Sequence, residues 1–140
     1  HYPLRRQRQM CIRDRMSAYR DGGRGEAVSG RLAYDCWGLV RAVRNELFGL
    51  PLLPSYGAIS PDDKRGLTDA YQAEVGAFAE GPPAPGAIAT VWKFRLCVHV
   101  GVCVEVNGRL GVLETGRKIG CRWLSIADFE SKYMTVRYYS

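Results

Sequence analysis

Histidine is nearly missing from this chain: only His1 and His99 occur, and no Cys-x-x-Cys pair accompanies the five cysteines. A zinc site takes about four ligands, so the sequence argues against a His/Cys metal centre, and no cofactor is expected. No run of about 18 apolar residues exists, which excludes a transmembrane helix. The most apolar stretch, Leu96 to Val106, is interrupted by His99, Gly101 and Glu105. The cysteines (Cys11, Cys36, Cys97, Cys103 and Cys121) are odd in number and too sparse for a disulfide scaffold. No apolar segment of the secretory kind follows the basic N-terminus. Synthesis in a reducing, intracellular compartment is therefore expected, with later export inside an assembled particle left open.

Acidic residues are outnumbered, 14 against 20 Lys and Arg, for a net charge of +6. The excess is local. Residues 1–15 carry Arg5, Arg6, Arg8, Arg13 and Arg15 against Asp14 alone. Without them the chain has 15 basic and 13 acidic residues, a net +2. Such a tail can touch nucleic acid or an anionic surface, but the near-neutral body gives no reason to expect a specific nucleic-acid site. The tail is read as a solvated or extraneous extension, and residues 16–140 as one domain. At 140 residues, with 46% hydrophobic and 24% charged residues, the chain has the composition of an ordinary folded domain with a single core.

Composition makes residues 16–33 a Gly-rich polar loop. A helix follows, capped by Asp35, with Cys36, Leu39, Val40, Val43 and Leu47 on its apolar face and Gly49 and Pro51 closing it. A second helix is predicted from Ser60, with Pro61, Asp62 and Asp63 in its first turn and Leu67, Tyr71, Val75 and Phe78 facing inward. Gly81 to Gly86 reads as a stiff connector. Strands are predicted over 87–92, 96–106, 109–115, 118–124 and 133–139, with a short helical turn capped by Ser125. Helices followed by an antiparallel meander define an α+β domain.

Leu96, Val98, Val100, Val102, Val104 and Val106 alternate with Cys97, His99, Gly101, Cys103 and Glu105, which predicts two distinct faces. Asn107-Gly108 is a strong two-residue hairpin signal. It sets Val106 opposite Arg109, Gly101 opposite Glu114 and His99 opposite Gly116. Paired residues share a face, so His99 and Glu114 fall on a diagonal, with two glycines leaving room around the imidazole. A bulge would break this register.

Cys36 follows the helix cap directly. Backbone N–H groups and the helix dipole favour a thiolate there, and an imidazole could lower its pKa further and protonate a leaving group. A cysteine enzyme built from this chain has one internal histidine to use. Cys97 and Cys103 share the predicted His99 face but sit mid-strand and are read as packing residues.

Four segments, Tyr19-x-x-Gly22-Gly23, Tyr34-Asp35-Cys36-Trp37-Gly38-Leu39-Val40-Arg41, His99-Val100-Gly101-Val102 and Leu113-Glu114-Thr115, together resemble the NlpC-type, papain-like cysteine peptidases of bacterial cell walls, and most closely their phage tail-tip branch. The resemblance spans roughly residues 17–116. It implies a papain-like fold, Cys36 as nucleophile, His99 as base and Glu114 as the residue that orients it. That third position is His, Asn or Gln in the family, so Glu114 is a departure. Tyr19 resembles the tyrosine that lines the oxyanion site, and Asp35 the residue that binds the free amine of a stem peptide. Trp37 replaces a common serine and either lines the substrate groove or packs. The implied reaction is hydrolysis of peptide bonds in peptidoglycan stem peptides, in the setting of a phage tail tip with other tail proteins as possible neighbours. The alternative is a tail-assembly module that keeps the fold without activity.

Overall fold

The computed structural model describes residues 18–19, 24–28, 31–55, 64–116 and 118–140. The N-terminal tail, Gly22, Gly23 and the predicted start of the second helix at Ser60 lie outside them. Three helices and nine strands are described, in the order β1 (Ala18–Tyr19), β2 (Arg24–Val28), β3 (Arg31–Tyr34), α1 (Cys36–Glu46), α2 (Lys64–Val75), β4 (Glu80–Gly81), β5 (Ile88–Lys93), β6 (Leu96–Val106), β7 (Arg109–Gly116), β8 (Gly120–Ser125), α3 (Ile126–Lys132) and β9 (Thr135–Tyr139). The fold is α+β.

A six-stranded antiparallel sheet, ordered β4-β9-β5-β6-β7-β8, forms the body. The predicted meander accounts for β5 to β8. The last strand leaves it: α3 carries the chain back so that β9 pairs with the far edge of β5. Gly81, read as the start of a connector, instead pairs with Tyr138, and Glu80 before it with Tyr139. The expected loop over 16–33 also gives way, to a small sheet of order β1-β3-β2. These strands are too short to show a period, and their partners supply what composition does not.

α1 forms where the sequence places it. Asp35 accepts a hydrogen bond from the Gly38 N–H at 2.7 Å, satisfying one of the free donors of the first turn. Trp37, Leu39, Val40, Val43 and Leu47 are buried. Gly49, at φ 64°, ends the helix in the left-handed region and its N–H returns to the Asn45 carbonyl. In α2, Tyr71 is buried as expected, whereas Phe78 lies beyond the helix end. The Thr68 hydroxyl donates to the Cys97 carbonyl at 3.1 Å and ties this helix to β6.

The sheet separates two apolar clusters. On one side Ile88, Trp92, Val100, Val102, Val104 and Leu113 meet α1 and Tyr71 of α2. On the other, Ala87, Ala89, Val91, Cys103, Val112 and Tyr138 meet Phe129 of α3. The Asn107-Gly108 turn adopts positive φ at both residues, 53° and 79°, the geometry of a tight two-residue hairpin. Val106 pairs with Arg109 as predicted, and the register runs unbroken to Val102 opposite Leu113.

Strict alternation along β6 does not hold. Against β5, His99 pairs with Val91 but Cys97 pairs with Trp92, so Val98 is an extra residue in β6. This bulge reverses the phase of the strand. Cys97 joins Val100 and Val102 on the α1 side, and Val98 packs with the α3-side cluster. Cys97 therefore does not share a face with Cys103. The bulge lies before His99 and on the β5 edge, outside the part of the β6–β7 ladder that pairs, Val102 to Val106; the ladder does not extend to the expected Gly101–Glu114 and His99–Gly116 pairs.

Gly101 lies where β7 passes closest. A Cβ there would stand 2.6 Å from Val112 Cγ1 and 2.9 Å from the Leu113 carbonyl oxygen. Gly101→Ala is expected to destabilise the protein by about 1–3 kcal/mol, the usual cost of overpacking. The denaturation midpoint measures it; an unchanged midpoint would mean that the strands are not packed this tightly.

Candidate active site

Cys36 is the first residue of α1, His99 follows the bulge of β6, and Glu114 sits near the end of β7. Packing α1 across β6 and β7 brings the three together. His99 Nε2 lies 2.7 Å from Glu114 Oε1, on the diagonal that the hairpin register predicts. The Cys36 and His99 side chains are neighbours whose charges act on each other. With Nε2 held by Glu114, Nδ1 is the nitrogen left to serve the sulfur. Cys36 is half-buried, the His99 side chain is 16% exposed and Glu114 is fully buried.

Burial pushes the Cys36 thiol up, but the hydrogen bond and positive charge of His99 outweigh it, and the net shift is below the ordinary thiol range. The negative charge of Asp35 opposes this shift and the Tyr71 hydroxyl assists it. Burial pushes the imidazole down; hydrogen bonds to Cys36 and Glu114, with their charges, reverse that and take His99 up to about 9. Burial likewise pushes the Glu114 carboxyl up, and bonds from His99, Tyr133 and Arg122 bring it below the usual carboxylate range. Each shift favours the charged form: thiolate at Cys36, imidazolium at His99 and carboxylate at Glu114. By contrast, burial pushes both Cys97 and Cys103 up to about 12. Burial thus disfavours the thiolate at Cys97 and Cys103, whereas His99 favours it at Cys36.

Glu114 holds two further partners that the sequence reading missed. Arg122 Nε donates to Oε2 at 2.8 Å, and the Tyr133 hydroxyl donates to Oε1 at 2.7 Å. The Tyr133 ring also lies against His99, 5.7 Å between centroids. Arg122 was within reach of a register argument: Glu114 pairs directly with Arg122 across β7 and β8, an opposite-charge cross-strand pair. Nothing local marks Tyr133, which is positioned by the end of α3. Tyr71 was read only as a face residue of α2, yet its hydroxyl lies 3.7 Å from Cys36 Sγ.

No protein-family model, curated protein or solved structure matches this chain. Its chemistry has to be read from its own residues.

Among the other sequence candidates, Tyr19 lies in β1, paired with Tyr34 beside the Asp35-Cys36 step, and its side chain is outside the described residues. Asp35 is the helix cap. Trp37 does not line a groove: it is 1% exposed, its indole N–H donates to the Pro54 carbonyl at 2.7 Å, and its ring stacks on Tyr71. The indole, one residue along the helix from Cys36, packs in the core. Among the described residues no group of three or more His, Cys, Asp or Glu is placed to hold a metal ion, and no helix is long and apolar enough to cross a membrane. A cleft of about 600 Å³ opens by Gly76, Phe78, Trp92 and Arg137, but contains neither Cys36 nor His99. Cavity size and nucleophile chemistry thus point to different places, and the chemistry is the better guide because only it pairs an activated group with a proton donor.

Proposed function

We propose that this chain is an NlpC-type cysteine peptidase with a papain-like arrangement, which hydrolyses peptide bonds in peptidoglycan stem peptides. One observation carries the reading: beside the sulfur at the start of α1 stands an imidazole whose Nε2 lies 2.7 Å from a buried carboxylate. A nucleophile, a base beside it and a group that orients the base are the parts that covalent acyl transfer requires.

In the proposed reaction the Cys36 thiolate attacks the scissile carbonyl and its lone pair forms the S–C bond. The carbonyl π pair moves to oxygen, where the Cys36 backbone N–H, at the open end of α1, is the first donor. As the oxyanion collapses, the C–N bond breaks and imidazolium His99 gives its proton to the leaving amine. His99, now neutral, takes a proton from water as the water attacks the thioester, and the carboxylic product leaves with the thiolate restored. Glu114 fixes the ring and stabilises its charged form; Arg122 and Tyr133 in turn hold Glu114.

The substrate class and the phage tail-tip setting rest on the resemblance of the four sequence segments. Asp35 and Tyr19 are proposed on the same ground to meet the substrate amine and the oxyanion. Incubating purified peptidoglycan with the protein and with Cys36→Ala tests the proposal. Stem-peptide fragments released only by the unaltered protein would support it, and equal release by both would refute it.

A further inference from the structure

We propose that Tyr71 is a catalytic residue of this site, its hydroxyl holding the Cys36 sulfur before attack and following the charge to the carbonyl oxygen as the S–C bond forms. The inference rests on the cysteine-peptidase reading and adds to it a donor that comes from α2, apart from the backbone N–H at the helix start.

Three observations place this donor. The hydroxyl lies 3.7 Å from Sγ, at hydrogen-bond range for sulfur. The residue is 2% exposed, so water does not compete for the contact. The ring is fixed: it stacks on Trp37 at 5.2 Å and 27°, and Trp37 is itself anchored to the Pro54 carbonyl. Two elements thus hold one hydroxyl against one sulfur, and such prior positioning makes a donor effective in a dry site.

The direction of the bond follows from the neighbours. Burial, then the charge and hydrogen bond of Cys36, push the Tyr71 phenol far above its ordinary range. It therefore stays protonated and donates, and the thiolate accepts. The titratable groups near the sulfur are His99 and Cys97 from β6, Asp35 before α1 and Tyr71 from α2. His99 must surrender its proton to the leaving amine; Tyr71 keeps its own throughout and only redirects it. When negative charge moves from sulfur to the carbonyl oxygen, the oxygen forms one bond away from the carbon that the sulfur has joined. A hydroxyl already at the sulfur needs only a small reorientation to approach the about 2.7–3.1 Å at which oxyanion donors work.

Tyr71→Phe removes the hydroxyl and keeps the ring stack. Two readouts are needed: the pH profile of Cys36 alkylation by iodoacetamide, followed by mass spectrometry of the Cys36 peptide, and the kcat and KM of peptidoglycan cleavage. The profile is expected to move to higher pH, and kcat to fall about 10²- to 10³-fold, the usual loss for one oxyanion donor, with KM nearly unchanged. Trp37→Phe, which keeps the hydroxyl but loses the anchor to Pro54, is expected to shift both in the same direction by less, and serves if Tyr71→Phe folds poorly. An unchanged profile and unchanged kcat in folded Tyr71→Phe would overturn the role of Tyr71 and leave the Cys36–His99 reading standing. Unaltered protein whose Cys36 is alkylated no faster than an ordinary thiol would overturn that reading, and Tyr71 with it.

Discussion

Cys36→Ala is expected to remove peptidoglycan cleavage almost entirely, by on the order of 10⁶-fold in kcat where nucleophile and base act as one unit. His99→Ala should cost about as much. The double variant should be no worse than either single one, because neither group does its part without the other. This non-additivity is the sharper result. If the two losses multiplied instead, Cys36 and His99 would be acting independently, against an arrangement in which the imidazole held by Glu114 stands beside the sulfur. The folded state should survive both changes, since neither residue is among the large, fully buried side chains of the core; thermal melts of the same samples check this.

Glu114 should behave differently from both, because it is structural as well as chemical. It is fully buried with three partners: His99, Arg122 and Tyr133. Glu114→Ala leaves a guanidinium and a phenol without their acceptor. Breaking a buried pair costs about 3–5 kcal/mol, and the partial exposure of Arg122, 26% of its side chain, places this case toward the low end. Glu114→Gln keeps an acceptor and loses the charge, so it should fold. Its effect is on pH. In the unaltered protein Glu114 helps take His99 up to about 9; without that charge the imidazole should lose its proton at lower pH, and the alkaline limb of activity should move down. A pH–rate profile of Glu114→Gln with its alkaline limb in place would show that the carboxylate charge does not support the imidazolium. The stability signs follow. Glu114, held below the carboxylate range, contributes stability at neutral pH that is lost as pH falls through its folded-state pKa. His99, held up to about 9, contributes stability that is fully present below its ordinary value of 6.5 and is lost as pH rises through 9.

The site was more legible in the sequence than the fold around it. Asp35 and Cys36 announce a helix start, and Asn107-Gly108 fixes one hairpin, so two short-range rules locate the sulfur and place Glu114 diagonal to His99. Both rules act over a few residues, where chemistry leaves few choices. What the sequence hid was set at long range. The bulge at Val98 is visible only against the β5 edge, and it reassigns Cys97 from one face to the other. β9 finds its place beside β5 by tertiary pairing, and β1 to β3 are too short to carry a period. Tyr71 and Tyr133 reach the site from α2 and from the end of α3, about 35 residues from their partners in the first case. Trp37 shows the limit of motif matching: its position beside the nucleophile suggests a groove, and the helix turns it into the core.

The claim under all of this is that the resting site holds a thiolate and an imidazolium. The chain has only two histidines, so the His99 ring can be followed through a pH titration by NMR, assigned by comparison with a variant lacking His1. The account predicts that His99 stays protonated through neutral pH and titrates near 9, and that Cys36→Ala lowers this value. Titration at or below the ordinary 6.5, unmoved by loss of the sulfur, would mean that burial wins, that no ion pair exists, and that Cys36 is a buried thiol like its neighbours.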